Sequence, residues 1–394
     1  MGAGARAPMR LRSSAGASAA GRWAVATARL LRAPLCAAEN PPRMRGGAGD
    51  CKHGPEESAM HARALVLGAT GMIGAHAARA CLRHGTPVRA LVRPGSDARN
   101  LRGLDLEIAE GDLRDPASLR AALLGCDLVV HAAGAYPKRL FGKARFLARA
   151  RTEMQNLLDA VGAAAQQHAV RLVYVSSVTT IGRPTAETGA PRPARESDRT
   201  RPIRDPSPYF AVKALLEEMA ERAAAGALDL VIVNPTFCVD DLDARRTTAQ
   251  LLLPLARRQI PAYLPGHLNA VPTRDVGEGI LLAARRGRRG ERYILGGENL
   301  RSREFLERCA RIAGVPSPRV ALPIAAAEAA SWTTEAWAHL TGGRPLFPMA
   351  GVRMLKHSQP FDTTRAREEL GLVTSSLDDA IRRAYAWYRR NGYL

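Results

Sequence analysis

LVLGATGMIG, residues 65–74, runs an apolar segment straight into Gly68-Ala69-Thr70-Gly71-Met72-Ile73-Gly74. A strand that ends in glycines and turns at once into a helix brings backbone N–H groups against a pyrophosphate. The helix N-terminus adds partial positive charge at the same point. Gly68 suits the tight turn, Gly71 removes a side chain that would block phosphates, and Gly74 lets the helix pack on its strand. The plain alternative is a glycine-rich turn of any α/β protein. The flanks argue against it, because GMIGAHAARACLRHG (71–85) continues as a helix that closes at Gly85.

Outward from this loop, strands and helices alternate. ALVLG (64–68), PVRALVR (87–93), LEIAEGD (106–112), DLVVHAAG (127–134), RLVYVSS (171–177) and LDLVIVNP (228–235) read as strands. DPASLRAALLG (115–125) and EMQNLLDAVGAAAQQH (153–168) read as helices between them. Near-continuous apolar strands separated by amphipathic helices imply an α/β fold with a doubly wound parallel sheet. After Pro235 the pattern loosens: YILGGENL (293–300) reads as one late strand, SREFLERCARIAG (302–314) as a helix, and 319–394 as mostly helical. The expected organisation is a dinucleotide-binding Rossmann domain over 60–235. A smaller substrate lobe over 236–394 would intertwine with it above the carboxyl ends of the strands.

Residues 1–59 are rich in Ala, Gly, Arg and Ser without a sustained period. They read as a disordered or non-native extension, with a targeting peptide as the alternative and Met60 as the expected start. The chain has 394 residues and a formal net charge of +20. Only five lysines contribute (52, 138, 143, 213 and 356), and the arginines are spread without an aromatic-interleaved stripe. Nucleic-acid binding is therefore not expected. No apolar run is long enough to cross a bilayer. Cysteines 36, 51, 81, 126, 238 and 309 lack metal-site spacing and read as small hydrophobes in a reducing compartment, with the cytoplasm as the expected location. No metal is expected.

Tyr209-Phe210-Ala211-Val212-Lys213 opens a helix, and the i, i+4 spacing puts Tyr209 and Lys213 on one face. A neighbouring ammonium lowers the phenol's pKa from near 10, making the tyrosine a usable acid or base. Lysine in a chain that elsewhere chooses arginine is informative, since a planar guanidinium does not replace a compact ammonium. Ser176 and Ser177 fall at the carboxyl end of the fifth strand, where reacting groups belong. Alternation selects Ser177 as the one facing the site; the plain reading is a serine that caps the following turn. Strand two ends Leu91-Val92-Arg93-Pro94, with no carboxylate for a ribose diol and with Arg93 able to pair with a 2′-phosphate. This favours NADP(H), with NAD(H) as the alternative. Arg245 and Arg246 read as solvated surface, with a phosphate contact as the alternative. The loops at 136–150, 183–207 and 237–270 are expected to shape a substrate pocket, with apolar contacts from Leu140, Phe141 and Phe146.

GATGMIG, EGDL (110–113), HAAG (131–134), VYVSSV (173–178), YFAVK (209–213) and NPT (234–236) in combination resemble the extended short-chain dehydrogenase/reductase superfamily, in its NAD-dependent epimerase/dehydratase family. The resemblance covers about 64–394. RDVGEGILLA (274–283), GERYILGGENL (290–300) and the C-terminal segment look like the dihydroflavonol-reductase-like branch, which includes hopanoid-associated sugar epimerases. The resemblance implies a Ser177-Tyr209-Lys213 catalytic triad, with Tyr209 and Lys213 also touching the cofactor. It implies that Gly68, Thr70, Gly71, Met72, Ile73 and Gly74 cradle the dinucleotide, that Asp112 and Leu113 flank adenine, and that Ala132, Ala133 and Gly134 line the cofactor. Pro235 would lie near the nicotinamide and Thr179 at a substrate-contacting position. A homodimer through the helix of Tyr209 is common in that superfamily. Two departures stand out. Ala150 replaces the asparagine that many members use to support a relay water, and NPTFCVDD (234–241) has aspartate where many relatives have glycine.

The expected function is reduction of a small-molecule carbonyl, or oxidation of the alcohol, by Ser-Tyr-Lys catalysis. One alternative is a nucleotide-sugar epimerase with a tightly held cofactor; another is a catalytically silent NADP-sensing or scaffold protein. Val178 and Thr179 stand where a dehydratase would carry an acid–base pair.

Overall fold

The computed structural model describes residues 61–134, 142–184, 192–199, 208–341 and 349–394. The extension at 1–59, Leu140, Phe141 and parts of two expected pocket loops lie outside these residues. In chain order the elements are β1 (Ala64–Leu67), α1 (Met72–Arg83), β2 (Val88–Val92), β3 (Glu107–Glu110), α2 (Pro116–Leu123), β4 (Leu128–His131), α3 (Lys143–Ala165), β5 (Arg171–Val175), α4 (Pro208–Ala225) and β6 (Asp229–Pro235). They continue with β7 (Phe237–Val239), α5 (Ala249–Ala256), β8 (Ala262–Tyr263), β9 (His267–Pro272), α6 (Thr273–Arg286), β10 (Arg292–Leu295), β11 (Glu298–Arg301), α7 (Ser302–Ala313), β12 (Val320–Ala321), α8 (Ile324–Thr341), α9 (Met349–Lys356) and α10 (Leu377–Arg390).

Seven parallel strands form the main sheet in the order β3-β2-β1-β4-β5-β6-β10. The chain starts at β1, winds outward through β2 and β3, then crosses back to β4. Strand order thus reverses between β1 and β4, and ligands in such sheets sit outside the carboxyl ends at that crevice. Central strands are buried on both faces, which is why they read as unbroken apolar runs. β3 is the exception: it forms the outer edge, and its Glu107 stays exposed and meets Arg89 (2.8 Å) and Arg63 (3.1 Å).

One face packs α1 and α6 with Val66, Val130, Val173 and Val233, and the other packs α2, α3 and α4 with Leu65, Val129, Leu172 and Ile232. α1 and α6 approach closely at Gly277, where a Cβ would lie 2.6 Å from the His76 backbone. α2 starts because Asp115 accepts from Ala117 N (3.0 Å) while Pro116 fills the first helical position. α3 begins ten residues before the expected 153. Its arginine-rich first half obscures the stripe, but Ala150, Met154, Leu157 and Val161 form one buried face.

The late segment 293–300 is two strands rather than one. β10 joins the main sheet beside β6, while β11 pairs antiparallel with β9 in a separate sheet ordered β11-β9-β7. Gly296-Gly297 makes the break. A side chain at Gly296 would meet Asn269 Oδ1 at 2.6 Å, and that same oxygen accepts from Gly297 N at 2.8 Å. The smaller sheet packs with α5, α7 and α10 around Phe305, Cys309, Tyr385 and Tyr388. Cys81, Cys126, Cys238 and Cys309 are buried free thiols. No helix among the described residues is long and apolar enough to cross a membrane.

Candidate active site

The glycine loop sits at the carboxyl end of β1. Gly68 adopts φ +84°, and a Cβ there would lie 2.6 Å from Ala133 N and 2.7 Å from the Ala132 carbonyl carbon. This position therefore needs glycine on two counts, dihedral and space. A Cβ on Gly74 would overlap the Gly68 carbonyl, so close contact of α1 with its own strand turn requires glycine there too. No side chain caps α1 at Gly71, which leaves the first-turn amides of Met72, Ile73 and Gly74 directed into the loop. The turn is thus a backbone donor cradle at a helix N-terminus, lined on the β4 side by Ala132, Ala133 and exposed Gly134. These features suit a dinucleotide's pyrophosphate.

Ser177, Tyr209 and Lys213 come together at the end of β5. The Tyr209 hydroxyl donates to Ser177 Oγ at 3.3 Å, and the Thr179 hydroxyl donates to the same oxygen at 3.1 Å. Ser177 Oγ also accepts from Thr179 N at 3.3 Å, so it caps the short turn 178–180 as well as facing the tyrosine. One geometry thus lets this serine cap the turn and face the tyrosine. One turn along α4, Lys213 Nζ donates to Val175 O and Ser176 O, each at 3.2 Å.

The electrostatics differ from the sequence expectation. Burial pushes the Tyr209 phenol above its ordinary value, while hydrogen bonds with Ser177 and Thr179 oppose the rise. The ammonium of Lys213 is engaged by β5 carbonyls and does not offset that burial. Burial brings Lys213 itself down to about 8, with Glu217 opposing the shift. His131, buried at the end of β4, is held near 3 by desolvation and then by Lys213, and stays neutral at physiological pH.

Beneath the three residues lies a polar network that the sequence reading did not single out. Glu217, four residues beyond Lys213, accepts from Thr180 Oγ1 (2.7 Å), Asn234 Nδ2 (2.8 Å) and Arg292 Nη1 (3.0 Å). Asn234 Nδ2 also donates to Ser177 O at 3.1 Å, and the single Thr180 hydroxyl proton is shared between Glu217 and Ser177 O, each 2.7 Å away. Glu217 and Arg292 are only 4 and 6% exposed, so each ion depends on the other. The i+4 step from Lys213 marks Glu217 in the sequence; nothing local marks Asn234 or Arg292 as its partners.

The remaining expected residues spread along the same crevice. Arg93 leaves the end of β2 and is exposed. The Asp112 carboxylate is held by Arg114 (3.0 and 3.1 Å), which keeps its pKa low, and Leu113 O accepts from Asn156 Nδ2 at 2.9 Å. Pro235 is buried at the end of β6. Phe146, in the first turn of α3, is partly buried against the core. Ala150, expected from the resemblance to depart from a relay asparagine, is buried and brings no polar group. Asp240 is fully buried and clamped by Arg383 at 2.7 and 2.8 Å. It lies close to His76 and Asp241, with ligand atoms within 4.8 Å of one another, and Arg383 pairs with the Asp240 carboxylate of this group. Arg245 is exposed, as a surface arginine would be, and its Nη2 also donates to Thr70 Oγ1 at 3.2 Å.

Residues 64–296 match the NAD dependent epimerase/dehydratase family. The chain is 35% identical over 335 residues to a putative dihydroflavonol 4-reductase of Synechocystis sp., covering 84% of this chain and 95% of the relative. It is 33% identical over 341 residues to sterol demethylase protein B of Methylococcus capsulatus, covering 84% and 99%. A solved nucleoside-diphosphate-sugar epimerase from Pseudomonas aeruginosa superposes with a TM-score of 0.69 at 32% identity, covering 85% of this chain and 99% of the other. The chain belongs to the NAD-dependent epimerase/dehydratase family, extended short-chain dehydrogenases/reductases that act as NAD(P)-dependent oxidoreductases and epimerases.

Proposed function

We propose that this protein reduces the carbonyl group of a small-molecule substrate, and oxidises the corresponding alcohol in reverse, with NADP(H) preferred to NAD(H). The observation that carries the reading is the Tyr209–Ser177 contact of 3.3 Å with Lys213 one turn beyond, at the strand ends that also carry the glycine loop. A bound nicotinamide dinucleotide supplies or accepts the hydride at the carbonyl carbon. The Tyr209 hydroxyl gives its proton to the carbonyl oxygen, and the Ser177 hydroxyl donates a hydrogen bond to that same oxygen. The upward shift of the phenol keeps Tyr209 protonated at neutral pH, the form that reduction consumes. Lys213 holds a ribose hydroxyl and places positive charge beside the developing tyrosinate. The Glu217–Asn234–Thr180 network fixes the Ser177 backbone.

The absence of an acid at the end of β2, together with Arg93 there, supports NADP(H). Val178 and Thr179, in place of an acid–base pair, speak against dehydration. The test is oxidation of NADPH against a panel of aldehydes and ketones, with Tyr209→Phe as control. Tyr209→Phe is expected to lower kcat by about 10²–10⁴-fold while coenzyme affinity stays within about threefold. Coenzyme retained through purification without net turnover would mean epimerisation instead. Binding with no chemistry at all would mean a sensing or scaffold role.

A further inference from the structure

Segment 240–248 leaves β7 and passes back over the glycine loop of β1. Its tip residue, Arg245, donates from Nη2 to Thr70 Oγ1 at 3.2 Å. The segment has one preset shape. Leu242 and Arg246 hold φ of +66° and +53°, a region that side-chain-bearing residues rarely adopt. The Asp243 carboxylate secures that backbone by accepting from Thr247 N (2.7 Å), Ala249 N (2.8 Å) and the Tyr388 hydroxyl (3.0 Å). Asn100, 1% exposed, ties the two loops together, because its Nδ2 donates to Thr70 O (3.1 Å) and to Leu242 O (2.7 Å).

Charge at this spot is unbalanced. Desolvation, and after it the field of Arg93, holds the Arg245 guanidinium below its ordinary value. The nearby acids are taken: Asp112 by Arg114 and Asp97 by Arg99 (2.7 Å). Neither Arg93 nor Arg245 forms an ion pair among the described residues. Arg245 thus sits on Thr70, and Arg93, exposed at the end of β2, adds to the positive field it feels. The adenosine ribose of a dinucleotide is placed by this fold at the end of β2.

We infer that Arg245 and Arg93 together form a phosphomonoester subsite, in which the second lobe reaches across the glycine loop to grip the 2′-phosphate of NADP(H). This rests on the dinucleotide reading above. It makes 240–248, taken from sequence as a substrate loop, an element of coenzyme choice.

The test is direct titration of the full chain with NADPH and NADH, followed by competition with adenosine 2′,5′-bisphosphate and ADP. Wild type is expected to prefer NADPH, and adenosine 2′,5′-bisphosphate is expected to outcompete ADP. Arg245→Gln should weaken NADPH by about tenfold or more, the scale of one lost charge-assisted contact, with NADH changed by less than about twofold. Arg245→Lys should recover part of the loss, and an unchanged urea midpoint would show that the fold is intact. Equal loss of both coenzymes would overturn the assignment in favour of a pyrophosphate contact, and no loss of either would overturn it outright. Failure of wild type to bind either coenzyme is a separate result and would sink the dinucleotide reading itself.

Discussion

Lys213 is asked to keep a positive charge in a place that disfavours one. Burial brings its pKa to about 8 against the opposing charge of Glu217, while its ammonium donates to the carbonyls of Val175 and Ser176. Reduction needs both Tyr209 and Lys213 protonated, and both lose their protons as pH rises. Since the phenol is shifted upward, the lysine titrates first. The kcat/KM for carbonyl reduction should therefore be flat below about pH 8 and fall above it. A profile measured from pH 6 to 10 that stays flat to the end would place Lys213 outside the reacting assembly. Gly74 makes a second demand at this scale. Gly74→Ala forces a methyl into the Gly68 carbonyl, so the glycine turn must shift and NADPH affinity should fall at least tenfold, measurable by the same titration.

Helix α4 links surface chemistry to buried electrostatics through one stripe, Tyr209, Lys213 and Glu217, at i, i+4 and i+8. The first two residues face the crevice, and the third closes an ion pair with Arg292 of β10 beneath it. Breaking one side of such a pair leaves the other charge buried alone. Glu217→Ala should therefore cost about 3–5 kcal/mol in urea unfolding, well beyond an ordinary surface change. Part of the damage should be catalytic, since Thr180 and Asn234 also lose their anchor beneath Ser177. The α1–α6 contact sets a different limit. Gly277 touches the His76 backbone, so Gly277→Ala should cost about 1–3 kcal/mol by forcing the helices apart, read as a lowered urea midpoint with unchanged slope.

At the scale of the whole molecule, the chain after β6 does not form a separate body beside the sheet. It returns through α6 and β10 to complete the sheet, and through 240–248 to touch the glycine loop. A coenzyme held as proposed would draw its contacts from Gly68 through Arg245, on both sides of β6. NADPH at about 100 times its Kd should then raise the unfolding free energy of the protein by about 2.7 kcal/mol, seen as a single thermal transition moving upward. Two transitions, with only one moved, would show that the second lobe melts independently.

Contiguous signals alone determined much of this protein. The glycine turn, the apolar strands, the Tyr209–Lys213 spacing and the serine at the end of β5 each occupy a few neighbouring residues, so local conformational preference and periodicity expose them. Tertiary structure decided whatever depends on distant partners. The break of 293–300 at Gly296-Gly297 arises from Asn269 of another strand. Glu217 became a buried ion partner only because β10 delivers Arg292. Tyr209 shifted upward rather than downward because desolvation depends on everything packed around the phenol, which spacing on one helix does not encode. Arg245 reached Thr70 because Asp243, Tyr388 and Asn100, far apart in the chain, fix the loop that carries it.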